Sequence, residues 1–214
     1  MKLRTLTCEE AELTIPPLAS DETYCQVGIR YTVNQQGTRL APGIFKNIES
    51  DLAAREISLS FSSLKLTTLE NMPARIAGNL NATGNNLLNC VGCGEVGRFV
   101  FVDGNKRLTS LEGCPQILHR GIYADACNID NLHDIHRIVK RVGGRGHFDL
   151  TDNPITSNIL GLMLIEFGQI GNQLFTFDKE VNAIIYKWLN QGRRGVLGAQ
   201  RELLDLGYEE LAQL

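Results

Sequence analysis

Between residues 57 and 170 the apolar positions recur in one frame, apolar-x-apolar-x-x-Asn/Cys-x-apolar. It reads Leu80-x-Ala82-x-x-Asn85-x-Leu87, then Ile122-x-Ala124-x-x-Cys127-x-Ile129, then Phe148-x-Leu150-x-x-Asn153-x-Ile155. Val100-x-Val102-x-x-Asn105 fits with its last apolar residue one place late, at Leu108. Leu59-x-Phe61-x-x-Leu64-x-Leu66 is a first copy without the Asn. Counted from Leu59 to Leu80, Val100, Ile122 and Phe148, the copies begin 21, 20, 22 and 26 residues apart. The phrases LTTLENMP (66–73) and LTSLEGCP (108–115) share five of eight letters and start 42 residues apart, two turns of 21.

The frame has a physical meaning. Alternate residues of a short strand share a face, so its two apolar positions enter a core together. The chain then turns and leaves backbone amides buried between stacked coils. An Asn at that corner both donates and accepts, and a Cys fills the slot as a small weak donor. One unit cannot bury its apolar side alone, whereas stacked units share a continuous core. The expected fold is therefore α+β, a solenoid of about five repeats over residues 57–170.

The flanks follow other patterns. Residues 1–56 lack the frame and are expected to form a non-repeat N-terminal cap. Within it, residues 23–33 read as a strand running into an NQQG turn, and 47–55 as a short helix. Residues 171–214 read as a helical C-terminal cap. Asp178 is placed to cap a helix whose Val181, Ile184, Ile185, Trp188 and Leu189 share a face and which Gly192 stops. A second helix is expected from about Val196 to Leu206, ended by Gly207.

The frame, with LTSLEG-x-P after an Asn corner, resembles the leucine-rich repeat. More narrowly it is similar to the degenerate leucine-rich-like repeats of tailed-bacteriophage proteins. Two features depart from that pattern: the first copy lacks Asn, and the last two units carry inserts, among them NLHDIHRIVKRVGGRG. The resemblance implies a phage-encoded, non-enzymatic binding protein that acts on a host or viral protein in host take-over or against a defence system.

Composition narrows the classes. The chain of 214 residues is 43% hydrophobic and 21% charged with a formal net charge of −3, a globular balance that does not suggest a dedicated nucleic-acid binder. No run of about 18 apolar residues is present to span a bilayer. The opening MKLRTLTCEEAE has no apolar stretch before its acids, so a cytoplasmic location is expected. Cys8, Cys25, Cys90, Cys93, Cys114 and Cys127 are then expected to be reduced, small, buried groups.

Several constellations carry candidate chemistry. Cys90-Val-Gly-Cys93 has zinc or redox spacing; Cys93 and Cys114 sit at related places after the corner and Cys127 in the Asn/Cys slot itself, so they need not converge, and the segment after Cys93 reads as turn and strand. No cofactor or metal is expected. His133 and His136 share a helical face near Asp130 and Asp134, without a third ligand at metal spacing. Arg137, Lys140, Arg141 and Arg145 carry no acid between them and precede or flank GGRG, which suits an anion or a nucleic-acid backbone. Arg193, Arg194 and Arg201 form a smaller basic cluster. Nucleic-acid binding through the first basic segment, and a small enzyme or metal protein built on the Cys or His pair, are the alternative functions.

The outward register positions point elsewhere. With the frame facing in, Ser58 and Ser60, Asn79 and Asn81, Phe99 and Phe101, Gly121 and Tyr123, and His147 and Asp149 face out. Three aromatics at the centre of that strip, with amides and charges around them, are the composition of a protein-binding hot spot. The competing expectation is that residues 1–56 or the C-terminal helices cover the strip and make it core.

Overall fold

A computed structural model describes residues 14–33 and 37–214. Its strands are β1 (Tyr24–Gln26), β2 (Ser58–Ser60), β3 (Arg75–Ile76), β4 (Leu80–Asn81), β5 (Glu95–Val96) and β6 (Phe99–Phe101). They continue with β7 (Ile117–Leu118), β8 (Gly121–Tyr123), β9 (Arg141–Val142), β10 (His147–Asp149), β11 (Glu166–Phe167) and β12 (Gln173–Leu174). The helices are α1 (Glu49–Ala54), α2 (Ile135–Ile138), α3 (Lys179–Trp188) and α4 (Gly192–Asp205), with 3-10 turns at Ile29–Tyr31 and Ile159–Leu164.

The strands stack as a parallel β-solenoid of about five turns. Seven of them form one sheet in the order β1-β2-β4-β6-β8-β10-β12, every pair parallel. A second side of the coil carries the two-residue strands, paired as β3–β5 and as β7–β9–β11. In the register of the large sheet, Cys25, Leu59, Leu80, Val100, Ile122, Phe148 and Gln173 form one row pointing inward. Leu59, Leu80, Val100, Ile122 and Phe148 are completely buried, as are Phe61, Ala82, Val102, Ala124 and Leu150 two positions on. All ten of these frame positions, five on the strands and five just past their ends, are core. Each large aliphatic among them contributes on the order of 1.5–3 kcal/mol by leaving water.

The corner residues do what the frame requires. Asn85 Oδ1 accepts from the backbone N–H of Leu64 (2.9 Å) and Leu66 (3.0 Å), while its Nδ2 donates to the carbonyls of Phe61 and Ala82. Asn105 accepts from Leu87 N–H and donates to Ala82 and Val102 carbonyls. Asn153 accepts from Ile129 N–H and donates to Ala124 and Leu150 carbonyls. All three are buried, so each amide stitches two successive coils where water cannot serve. Cys127 holds the same slot with only its Sγ–H to offer, to Val102 O at 3.3 Å.

Four expectations are corrected. The large sheet begins before residue 57, since β1 pairs with β2 and Cys25 joins the inward row; it also ends beyond residue 170, at β12. Residues 23–33 are a strand of only three residues, because Val27 N–H still reaches Ser60 O but Tyr31 and Thr32 then close a 3-10 turn onto Gly28 and Ile29. The NQQG turn falls at residues 34–36, outside the described residues apart from Gly37, as do residues 1–13 with Cys8. At the C-terminal end, Asp178 caps α3 by accepting from Val181 N–H (2.8 Å), but the helix stops at Trp188 rather than Gly192. Asn190 takes the left-handed position after it, φ 59°, and its amide binds both backbone groups of Phe167. Helix α4 then starts at Gly192, four residues earlier than its apolar pattern shows, since its first turn is glycine and arginine and only Gly195 there is buried.

Candidate functional site

The outward side of the large sheet forms three rows, each crossing the coils. The first contains Tyr24, Ser58, Phe99, Gly121 and His147, and the second Gln26, Ser60, Asn81, Phe101, Tyr123, Asp149 and Leu174. Past the strand ends the register continues: Gly84 N–H donates to Asp103 O, Gly104 N–H to Asp125 O and Ala126 N–H to Thr151 O, each at 2.9 Å. Thr83, Asp103, Asp125 and Thr151 therefore make a third row.

Four rings gather at the centre. Phe101 and Tyr123 stack with centroids 5.0 Å apart, and Tyr123 stacks on His147 at 5.5 Å. Phe99 lies tilted against all three, at 5.9 Å from Phe101, 5.7 Å from Tyr123 and 6.2 Å from His147. Phe99 and His147 belong to strands that flank β8 on either side. They meet because the residue between them, Gly121, has no side chain. Its φ of 119° is one that other residues rarely adopt, and a Cβ there would overlap the His147 carbonyl oxygen. All four rings are half-buried. The strip is thus neither core nor a set of isolated exposed rings, and the described parts of the N-terminal segment and of the C-terminal helices leave it open to that extent. On the β2 side Ser60 is completely buried and interrupts the accessible face before exposed Tyr24 and Gln26 of β1.

The polar positions differ in what they have left to offer. Asn79 is committed to structure: its Nδ2 donates to Ser58 Oγ and its Oδ1 accepts from Phe99 N–H. Asn81 Oδ1 accepts from Thr83 N–H. Asp149 is nearly buried and accepts from both Thr151 N–H and Thr151 Oγ1. Asp103 accepts from Thr83 Oγ1 at 3.0 Å. Burial first, then Asp103, Asp149 and Asp152, hold the Asp125 carboxyl above the usual carboxylate range. Burial, and then Asp149, also push the Tyr123 hydroxyl up. Asp103 and Asp125 were not among the sequence candidates. Their signal was the two-residue alternation carried one step beyond the strand, across the point where the frame turns its corner.

The other candidate groups are dispersed. Arg137 pairs with Asp134 at 3.2 Å and Arg141 with Glu166 at 3.6 Å, so two of the four cations of the basic segment are already matched. Lys140 and Arg145 are exposed, one beside β9 and the other on the loop to β10. His133 turns to Asp134 (3.2 Å), whereas half-buried His136 packs near Gly161 of the second 3-10 turn with its Nδ1 unpartnered. The two imidazoles thus serve different neighbours. A shallow cleft of ≈ 380 Å³ beside them is lined by Ser110, Asp130, Asn131 and His133. Arg193 and Arg194 begin α4, and Arg201 faces Asp205 at 3.9 Å.

The cysteines show one further departure. Spacing does not require Cys90 and Cys114 to converge, yet stacking of adjacent coils, with Cys90 N–H donating to Glu112 O, makes them neighbours. Interaction with the Cys90 thiol first, then burial, holds Cys114 well above the usual thiol range. Burial does the same to Cys93, and pushes Cys127 up to about 12. All three shifts favour the protonated, unreactive form, the opposite of what a redox CxxC needs. Among the described residues no group of three or more His, Cys, Asp or Glu is placed to hold a metal ion, and no helix is long and apolar enough to cross a membrane.

Comparison of the chain with protein-family profiles, with curated proteins and with solved structures finds no match.

Proposed function

We propose that the chain is a non-enzymatic binding module that grips a protein partner through the outward side of its seven-stranded sheet. One observation carries this reading: four rings from three successive strands, Phe99, Phe101, Tyr123 and His147, share a half-buried cluster rimmed by polar side chains. Such a cluster is already desolvated in part and held rigid by stacking, so a partner completes its burial at little entropic cost. The leucine-rich-repeat character of the frame supports the same reading, because a stack of coils presents one long, regular surface. Its likeness to the leucine-rich-like repeats of tailed-bacteriophage proteins extends the proposal to a phage-encoded protein acting in the cytoplasm on a host or viral partner, in host take-over or anti-defence.

The test is comparative capture. Immobilised wild-type protein and the F101A/Y123A variant are exposed to extracts of infected cells, and retained proteins are quantified by mass spectrometry. A partner held by the wild type and lost from the variant is the expected result. A partner retained equally by both places binding on another surface.

A further inference from the structure

We propose, resting on the face described above, that its partner is a basic protein segment: an extended strand with an apolar side chain two residues before an Arg or Lys. The apolar side chain lies on the edges of the Phe101 and Tyr123 rings, and the cation lies over Asp103 and Asp125.

The rows set the spacing. Rows two and three are two residues apart along their strands, about 6.6–6.8 Å, which is the distance between residues i and i+2 on one side of an extended peptide. Asp103 and Asp125 are on adjacent coils, about 4.8 Å apart by strand spacing, a gap that a forked guanidinium bridges better than a point charge.

The charges set the sign. Among the described residues no salt bridge reaches Asp103, Asp125, Asp149 or Asp152. Lys106, three residues after Asp103, donates its Nζ to the Ala126 carbonyl and forms no ion pair with the row. Arg98 and Arg120 stand at the opposite ends of the strands, and Arg98 is paired with Glu56. Thr83 and Thr151 hydroxyls orient Asp103 and Asp149 without neutralising them. Burial and then the carboxylates of Asp103, Asp149 and Asp152 raise the Asp125 pKa, and an incoming cation offsets the carboxylates' share.

Ring geometry separates a peptide from other ligands. Phe101 and Tyr123 turn their faces toward each other, 8° from parallel, and leave edges outward. Sugars and nucleobases stack on ring faces, and a phosphate backbone is repelled by the acidic row. A divalent cation has no set of three ligands here.

The test selects a random-peptide display library on the full chain, with counter-selection on the F101A/Y123A protein. Enrichment of an apolar residue followed two places later by Arg or Lys is expected. The corresponding synthetic peptide should bind D103N/D125N about tenfold more weakly, through loss of two exposed ion pairs, and should weaken similarly between about 50 and 300 mM salt. Melting of D103N/D125N at the wild-type temperature shows that the fold is intact. Enriched peptides that need Phe101 but are neutral or acidic, and that ignore D103N/D125N, overturn the basic partner while leaving the face as the binding site. A library that yields no Phe101-dependent peptide, or stoichiometric calcium binding abolished by D103N/D125N, overturns the proposal; the first of these also removes the face as a peptide site.

Discussion

Phe101 and Tyr123, on neighbouring parallel strands, hold their rings 5.0 Å apart and within 8° of parallel. The pair packs against Phe99 and His147 on the outward side of the sheet, while the core is built by the inward-facing row. Removing either ring should therefore cost the fold little. In a double-mutant cycle of F101A and Y123A, folding stability measured by urea titration should show a coupling of about 0.5–1.5 kcal/mol. Partner binding should fall by about 2 kcal/mol for F101A alone. Unfolding of F101A in the absence of denaturant would place Phe101 in the core instead.

Replacing a corner amide strands several buried groups together. In N85A the N–H groups of Leu64 and Leu66 and the carbonyls of Phe61 and Ala82 all lose a partner, for a cost of about 3 kcal/mol. C127A gives up only weak thiol donation to carbonyls and should cost about 1 kcal/mol. Equal losses in chemical denaturation would mean that the corner is held by packing rather than by hydrogen bonds.

Gly121 couples the backbone to the ring cluster. G121A forces a β-carbon toward the His147 carbonyl at a φ of 119°, and should cost about 3 kcal/mol or more. Thermal melting measures it directly. A variant as stable as wild type would show that the close approach of β8 to β10 is not required.

The imidazole of His136 gives the fold a pH dependence of known sign. Burial holds its pKa below the ordinary 6.5, with the Asp134 carboxylate acting in the opposite direction. The folded state then binds fewer protons than the unfolded chain just below pH 6.5, so stability is complete above that value and declines as pH falls through the lowered one. Melting temperatures across this range should show the decline in the wild type and a smaller one in H136Q. An identical slope in both assigns the acid sensitivity to other groups.

Thiol chemistry offers a separate check. With Cys93 and Cys114 raised and Cys127 near 12, alkylation of the native protein at pH 8 should be slow at all three positions and fast after denaturation. Added chelator should leave the melting temperature unchanged. Cys93 is only half-buried, so labelling of it in the native protein as fast as after denaturation would contradict the raised thiol.

Periodicity decides how much of the fold could be read from the chain. Leu80, Val100, Ile122 and Phe148 announce themselves because each is repeated two residues later and followed by a corner amide. Cys25 and Gln173 occupy the same inward row but lack that context, so the first and last strands of the sheet were not visible in the frame. The second-side strands are two residues long, too short to show any alternation. Within the site, the rings follow from strand register. By register Gly121 is only one outward position among others, although it is the absence of its side chain that lets Phe99 and His147 meet. Asp103 and Asp125 lie beyond the strand ends, where the chain is already turning and alternation loses its authority. Cys90 and Cys114 met because contacts between coils depend on stacking offset, which residue spacing alone does not supply.

The transverse rows give the molecule the properties of a graduated scale. Each turn of the coil adds one mark to every row at intervals of about 4.8 Å. Duplicating or deleting a whole turn would leave the interior nearly intact, since every turn meets the same kind of neighbour. The same change between β6 and β8 would move Phe101 a full graduation away from Tyr123 and Asp103 from Asp125. A twenty-residue rearrangement tolerated by folding would thus undo the arrangement on which the proposed recognition depends.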